Sequence, residues 1–213
     1  MNPDYWLERW REGRIGFHRD DVNPQLALHL PLLSDCVRVL VPLCGKSADL
    51  EWLAAHGLEV VGVELSELAA QAFFQERGLT PQRRQEGAFV VYQHGAVQIW
   101  VGDFFATDEA TLGSFDAVYD RAAMIALPED LRARYTAHLP TLLTPKAKLL
   151  LVTLHFDAEG GPPFSVSPAE VARSYSQARI TALASVDARA DTPGPVERGA
   201  SFVHEDVHLI QKS

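Results

Sequence analysis

Apolar residues along this chain recur with two alternating periods. Residues 37–41 (VRVLV) run almost unbroken, as in a strand buried on both faces, and after a short polar turn residues 48–57 (ADLEWLAAHG) place apolar side chains at helical spacing. The pattern then repeats: residues 59–64 (EVVGVE) read as a second buried strand, and residues 66–78 as a second helix ending at Gly78. Two strand–helix units in succession predict a parallel sheet with right-handed crossovers. In residues 88–105 a His94-Gly95 break between two β-rich runs predicts a hairpin, or a strand with its approach. A fourth core strand is predicted over 115–121, a helix over 128–143 and a fifth strand over 148–156; residues 160–168 form a loop, 167–175 a short helix, and 180–188 and 201–213 two terminal strands.

At the start of the chain, Asn2-Pro3-Asp4 reads as an N-cap, a proline at the first helical position and an acid in the first turn, with Gly13 as the stop. Trp6 and Trp10 are four residues apart on this helix, so both indoles share one face and must cover something. The expected architecture is α/β: one domain over residues 1–213, with a doubly wound, mostly parallel seven-stranded sheet, helices on both faces and a C-terminal antiparallel strand pair. Sheets of this kind bind ligands beyond the carboxyl ends of their strands, which directs attention to Leu43–Ser47, Glu64, Gly102–Phe104 and Tyr119–Arg121.

Charge and composition narrow the partners. With 19 Lys+Arg against 28 Asp+Glu, the net charge of -9 repels a phosphate backbone, so nucleic acid is not expected as a partner. No apolar run approaches the roughly 18 residues of a membrane helix, and the polar, acidic N-terminus lacks the pattern of a secretory signal; no membrane association and a cytoplasmic location are expected. The two cysteines, Cys36 and Cys44, are expected as free thiols.

Several residues at the strand ends have chemistry suited to a nucleoside. Gly45, in the turn that opens a helix, lets backbone approach a ligand, although the turn also has a purely structural reading. Glu64 ends the second strand roughly 20 residues later, where a carboxylate accepts the hydroxyls of an adenosine ribose; the alternative is an exposed acid capping the next helix, an end that Ser66 and Glu67 already serve. Asp103 and Phe104 offer a carboxylate and a ring to an adenine, or else a turn aspartate beside a core phenylalanine. Arg121 could hold a carboxylate or an anionic acceptor through its planar fork; the alternative is a surface ion pair with Asp120.

The ribose acid alone admits a dinucleotide, and an NAD(P)-dependent oxidoreductase is the rival enzyme class. Its G-x-G-x-x-G register falls on Leu43, Gly45 and Ala48, so the glycine of the tight turn is missing. The phosphate-loop motif fails too, because Leu40 stands where it requires glycine. A literal H-E-x-x-H at His204–His208 is set aside: in a strand these histidines stand about 13 Å apart, too far to chelate one zinc, so no metal is expected.

Taken together, Trp6-x-x-x-Trp10 with Gly16-Phe17-His18, then VPLCGKS (41–47), VVGVELSE (60–67), FDAVYDRAA (115–123) and GGPPF (160–164) resemble the thiopurine S-methyltransferase family in its shorter bacterial form, over nearly the whole chain. The resemblance implies a class I methyltransferase fold, S-adenosylmethionine as cofactor with S-adenosylhomocysteine as product, and sulfur in aromatic or heterocyclic thiols as acceptor; some bacterial members are associated with selenium and tellurium. It further implies that Trp6 and Trp10 border the cofactor, Leu43 touches it, Glu64 holds its ribose and Asp103 and Phe104 lie by adenine. Arg121 would sit between cofactor and acceptor as the catalytic residue, Phe17 would stack on the acceptor ring, and residues 1–30 would cover the site in a monomeric enzyme. The animal enzymes carry a longer leader and Trp-Asp-Arg-Gly where this chain has Tyr119-Asp120-Arg121-Ala122, differences that bear on the acceptor. A non-catalytic adenosylmethionine-binding protein would share the cofactor residues, and the physiological acceptor is not specified by the motifs.

Overall fold

Helix α1 (Pro3–Arg11) opens the part of the chain described by this computed structural model, residues 3–212. Its expected N-cap, Asn2, lies outside the described residues. Asp4 stands in the first turn, Arg9 and Arg11 in the last, as the helix dipole favours, and the chain departs through Gly13 at φ 66°. The chain forms two compact units, one ending at Ala117 and the other beginning at Val118.

In the first unit, α1 is followed by α2 (Pro24–His29), β1 (Arg38–Pro42), α3 (Ala48–Ala55), β2 (Glu59–Glu64), α4 (Glu67–Glu76), β3 (Gln82–Glu86), β4 (Phe89–His94), β5 (Val97–Val101) and α5 (Glu109–Leu112). Strand β6 (Phe115–Asp120) carries the chain into the second unit. The strands of the first unit lie in the order β3-β4-β5-β2-β1. β1 and β2 pair in parallel with Leu40 opposite Val61, and β2 and β5 pair in parallel with Glu64 opposite Val101. This parallel core is the crossover arrangement that the two strand–helix units predict. Leu40, Val60, Phe73 and Ile99 are fully buried in or against it, each contributing about 1.5–3 kcal/mol.

The break at His94-Gly95 is a hairpin: β4 and β5 pair antiparallel, and Gly95 takes φ 56°. A further antiparallel strand, β3 (QRRQE), has no apolar residue and so no sequence signature of its own. It forms because β4 offers it a ladder, and its charges suit the sheet edge it occupies.

The second unit contains α6 (Ala123–Ala126), α7 (Glu129–His138), β7 (Leu143–Phe156), α8 (Pro168–Ser174), β8 (Ala178–Asp187), α9 (Pro193–Glu197) and β9 (Val203–Lys212). Helix α7 is shorter than expected. Pro140 cannot donate within a helix, and residues 139–142 tighten into a 3-10 turn before β7. β7, β9 and β8 form an antiparallel run in that order, with a bulge at Ala182/Ala184. His204 and His208 lie on β9, so the H-E-x-x-H match sits in a strand as expected.

Among the described residues nine strands therefore stand where seven were expected, because the hairpin supplies two and β3 is added. Cys36 and Cys44 are free thiols. No helix among the described residues is long and apolar enough to cross a membrane.

Candidate active site

The turn joining β1 to α3 is conformationally unusual. Leu43 has φ 52° and Gly45 φ 54°, two left-handed positions flanking Cys44. For a side chain such as leucine this region costs about 1–2 kcal/mol, so the surroundings must hold it. They do so from the end of β2. The Cys44 N–H donates to the Val63 carbonyl at 3.1 Å, and the Gly45 N–H donates to Glu64 Oε2 at 2.8 Å. Gly62 lets β2 approach this closely, since a methyl group there would lie 2.6 Å from Cys44 Sγ. Burial, and then the Glu64 charge, push the Cys44 thiol well above its ordinary range, which makes it a poor nucleophile.

Glu64 is only 7% exposed. Oε1 accepts the Ser66 N–H at 2.8 Å while Oε2 accepts that of Gly45, so one carboxylate ties the turn to the start of α4. This corrects the expectation that Ser66 caps that helix: its side chain makes no capping bond, and Glu64 takes its N–H instead. Burial raises the Glu64 pKa, opposed by the N–H groups of Ser66, Gly45 and Leu65. A carboxylate has about four acceptor positions. With the Gly45 and Ser66 N–H groups one on each oxygen and Leu65 contributing more weakly, Glu64 retains acceptor capacity.

Trp10 covers the turn from α1. A methyl group on Gly45 would meet Trp10 Cζ2 at 3.4 Å, so the indole lies directly over the glycine. The Phe17 ring meets the edges of Trp6 and Trp10, with centroids 5.3 and 5.8 Å away, and stays 42% exposed. Arg9 Cζ lies 5.8 Å from the same ring. Trp6, Trp10 and Phe17 thus form one aromatic group, joined through Trp10 to Gly45 and Glu64.

Asp103 and Phe104 follow β5, and the Gly102 N–H donates to the Glu64 carbonyl at 2.9 Å, which brings this segment beside Glu64. Asp103 is exposed and accepts the Phe105 N–H at 2.9 Å; Phe104 is buried. Lys46 is buried in an ion pair, donating to both Glu76 oxygens at 2.6 and 2.7 Å, so this lysine is committed within the fold. Two buried residues escaped sequence reasoning. Asp49 Oδ1 accepts the Asn23 N–H at 2.8 Å, and Asn23 Oδ1 in turn caps α2 through the N–H groups of Gln25 and Leu26. Asn23-Pro24, a capping residue before a proline, was the signal that could have revealed that helix start.

In the second unit, Asp120 is fully buried, accepting the Tyr135 hydroxyl at 2.7 Å and the Ala123 N–H at 2.9 Å. The alternative of a surface ion pair therefore fails at Asp120. Arg121 is half-buried and directly follows β6.

A parallel sheet with a glycine turn and a buried acid at adjacent strand ends defines an α/β fold class, and the solved structures similar to it include methyltransferases. The 1,6-didemethyltoxoflavin-N1-methyltransferase of Burkholderia thailandensis, solved with S-adenosylhomocysteine, matches with a TM-score of 0.67 at 18% identity, covering 99% of this chain and 87% of its own. An S-adenosylmethionine-dependent methyltransferase of Anabaena variabilis matches with a TM-score of 0.67 at 12% identity, covering 100% and 96%. The family model described as thiopurine S-methyltransferase matches residues 1–213. A Pseudomonas putida thiopurine S-methyltransferase is 45% identical over 216 residues, all of both chains, and one from Pseudomonas fluorescens is 54% identical over 176 residues, 81% of each. The chain belongs to the thiopurine S-methyltransferase family. The oxidoreductase alternative gains no support from these relatives.

Proposed function

We propose that this protein transfers a methyl group from S-adenosylmethionine to the sulfur of a small aromatic or heterocyclic thiol. The observation that carries this reading is Glu64: a buried carboxylate with acceptor capacity to spare, at the end of β2, gripping a glycine turn roofed by Trp10. Such a cradle fits an adenosine ribose, and the family relation supplies the reaction.

S-adenosylmethionine, when bound, offers a methyl group on a positively charged sulfur. The chain's own residues then have to position and dry the reaction. In this proposal Glu64 accepts the ribose hydroxyls, Leu43 and Gly45 present backbone to the nucleoside, and Asp103 and Phe104 attend the adenine. Trp6 and Trp10 exclude water, Phe17 stacks on the acceptor ring, and Arg121 steadies the acceptor's thiolate. Heterocyclic thiols ionise readily near neutral pH, so alignment for in-line displacement supplies most of the rate. The proposal includes a monomeric protein in the cytoplasm, with selenium and tellurium compounds as further acceptors.

Incubation with S-adenosylmethionine and either thiophenol or 6-mercaptopurine tests the proposal. Thiol-dependent formation of S-adenosylhomocysteine and the methyl thioether is expected. Tight nucleoside binding without turnover across thiols, selenite and tellurite would instead mark a non-catalytic binder, and preferential binding of NADH would return the oxidoreductase.

A further inference from the structure

The aromatic group over the cofactor turn belongs to residues 3–22, and that segment needs a fixed point from which to reach back. Asn23 is that point. Its backbone N–H donates to Asp49 Oδ1 at 2.8 Å, both residues are buried, and Asp49 is 1% exposed. Asp49 stands in the first turn of α3, two residues after Ser47, whose Oγ accepts the Asp49 N–H at 3.2 Å. The same short stretch therefore carries the cofactor turn at Leu43–Gly45 and the group that anchors its cover. Trp10 closes the circuit by lying over Gly45.

We infer that Asp49 is a positioning residue for methyl transfer: by holding the Asn23 N–H it sets where Trp6, Trp10 and Phe17 stand relative to the Leu43–Gly45 turn. The inference rests on the function proposed above and assigns Asp49 no contact with either reactant. A charge-assisted bond from a backbone N–H to a buried carboxylate is among the stronger single tethers a fold can make. Losing it removes the tether at Asn23, so the acceptor ring's platform wanders while the turn beneath stays formed.

Two pairs of variants separate this from a general loss of stability. Asp49→Ala removes the acceptor, whereas Asp49→Asn keeps an oxygen there. Asn23 has φ -63°, the value proline imposes, so Asn23→Pro suits the backbone angle, deletes the N–H and sets its ring carbon against Asp49 Oδ1, which breaks the tether, whereas Asn23→Ala keeps the N–H. Both Asn23 variants lose the side-chain cap of α2, which cancels in their comparison. Arg9, Arg11, Arg14 and Arg19 make the covering segment cleavable by trypsin.

Asp49→Ala and Asn23→Pro are expected to raise the KM for thiophenol about tenfold and to speed trypsin cleavage at these arginines by a similar factor. Asp49→Asn and Asn23→Ala are expected to stay within about threefold of the parent protein. Unchanged cleavage and KM in the first two variants would overturn the inference. So would equal damage in Asn23→Ala and Asn23→Pro, which would assign the effect to the α2 cap. If Asp49→Ala does not fold, the Asn23 pair decides alone. A parent protein that methylates no thiol would remove the functional reading, while the trypsin comparison still judges the anchor.

Discussion

Replacing Glu64 by glutamine exchanges one of its acceptor oxygens for a donor, and that amide nitrogen must then face the N–H of either Gly45 or Ser66. Leaving one buried N–H without a partner costs about 1–3 kcal/mol. Calorimetry on Glu64→Gln should therefore show S-adenosylhomocysteine affinity down by at least about tenfold, with a lowered melting temperature; undiminished affinity would remove the ribose assignment. Asp120 makes a different prediction. Burial lifts its carboxyl from 3.8 to about 6, against the Tyr135 hydroxyl and the N–H groups of Ala123, Met124 and Ala122. Because the folded value lies above the unfolded one, the native chain binds more protons between these limits. The stability Asp120 contributes is fully present below 3.8 and is lost as pH rises through about 6, a span worth on the order of 3 kcal/mol. Asp120→Asn should flatten that part of the profile, so the melting-temperature gap between variant and parent should change steadily between about pH 4 and pH 7. A constant gap would show that Asp120 does not titrate in this range. At this scale, the place of Glu64 was legible because a carboxylate ending an apolar run is conspicuous. Its bond to the Ser66 N–H was not, since that depends on a rotamer, and Asp49 looked like an ordinary acid in a helix's first turn.

Strands and helices depend on comparable single ties. The start of β1 is held by Asp116, whose two oxygens accept the N–H groups of Val37 and Arg38, each at 2.8 Å. Asp116→Ala leaves both donors to water at a partly exposed edge, and a loss of about 1–3 kcal/mol in chemical denaturation is expected, with the slope unchanged. An effect under about 0.3 kcal/mol would show that the pairing of β1 with β2 suffices. Apolar periodicity revealed β1, β2, β5 and α4 because their buried faces are continuous. It could not reveal β3, whose five residues are all polar and which exists only because β4 borders it. The end of α7 was overrun for a related reason: Leu142 and Leu143 continue the apolar rhythm of Leu139 although Pro140 has closed the helix.

At the scale of the whole chain, Leu43, Gly45, Glu64, Asp103, Trp6, Trp10 and Phe17 all precede Ala117, whereas Arg121 lies in the second unit. Bound S-adenosylhomocysteine should therefore protect amides of the first unit most strongly in hydrogen exchange, above all Gly45 and Ser66. A ligand at 100 times its Kd should also add about 2.7 kcal/mol to stability. Protection confined to residues beyond Val118 would contradict the assignment of the cofactor residues. The two hydrogen bonds that Glu64 accepts limit how this candidate site can be redesigned. In many nucleotide enzymes a ribose acid is a detachable reader that can be swapped for arginine to admit a phosphorylated sugar. Under the proposed function the reader is also the keystone of the loop it serves, so an attempt to retune the sugar by that swap would dismantle the receptor before changing its taste.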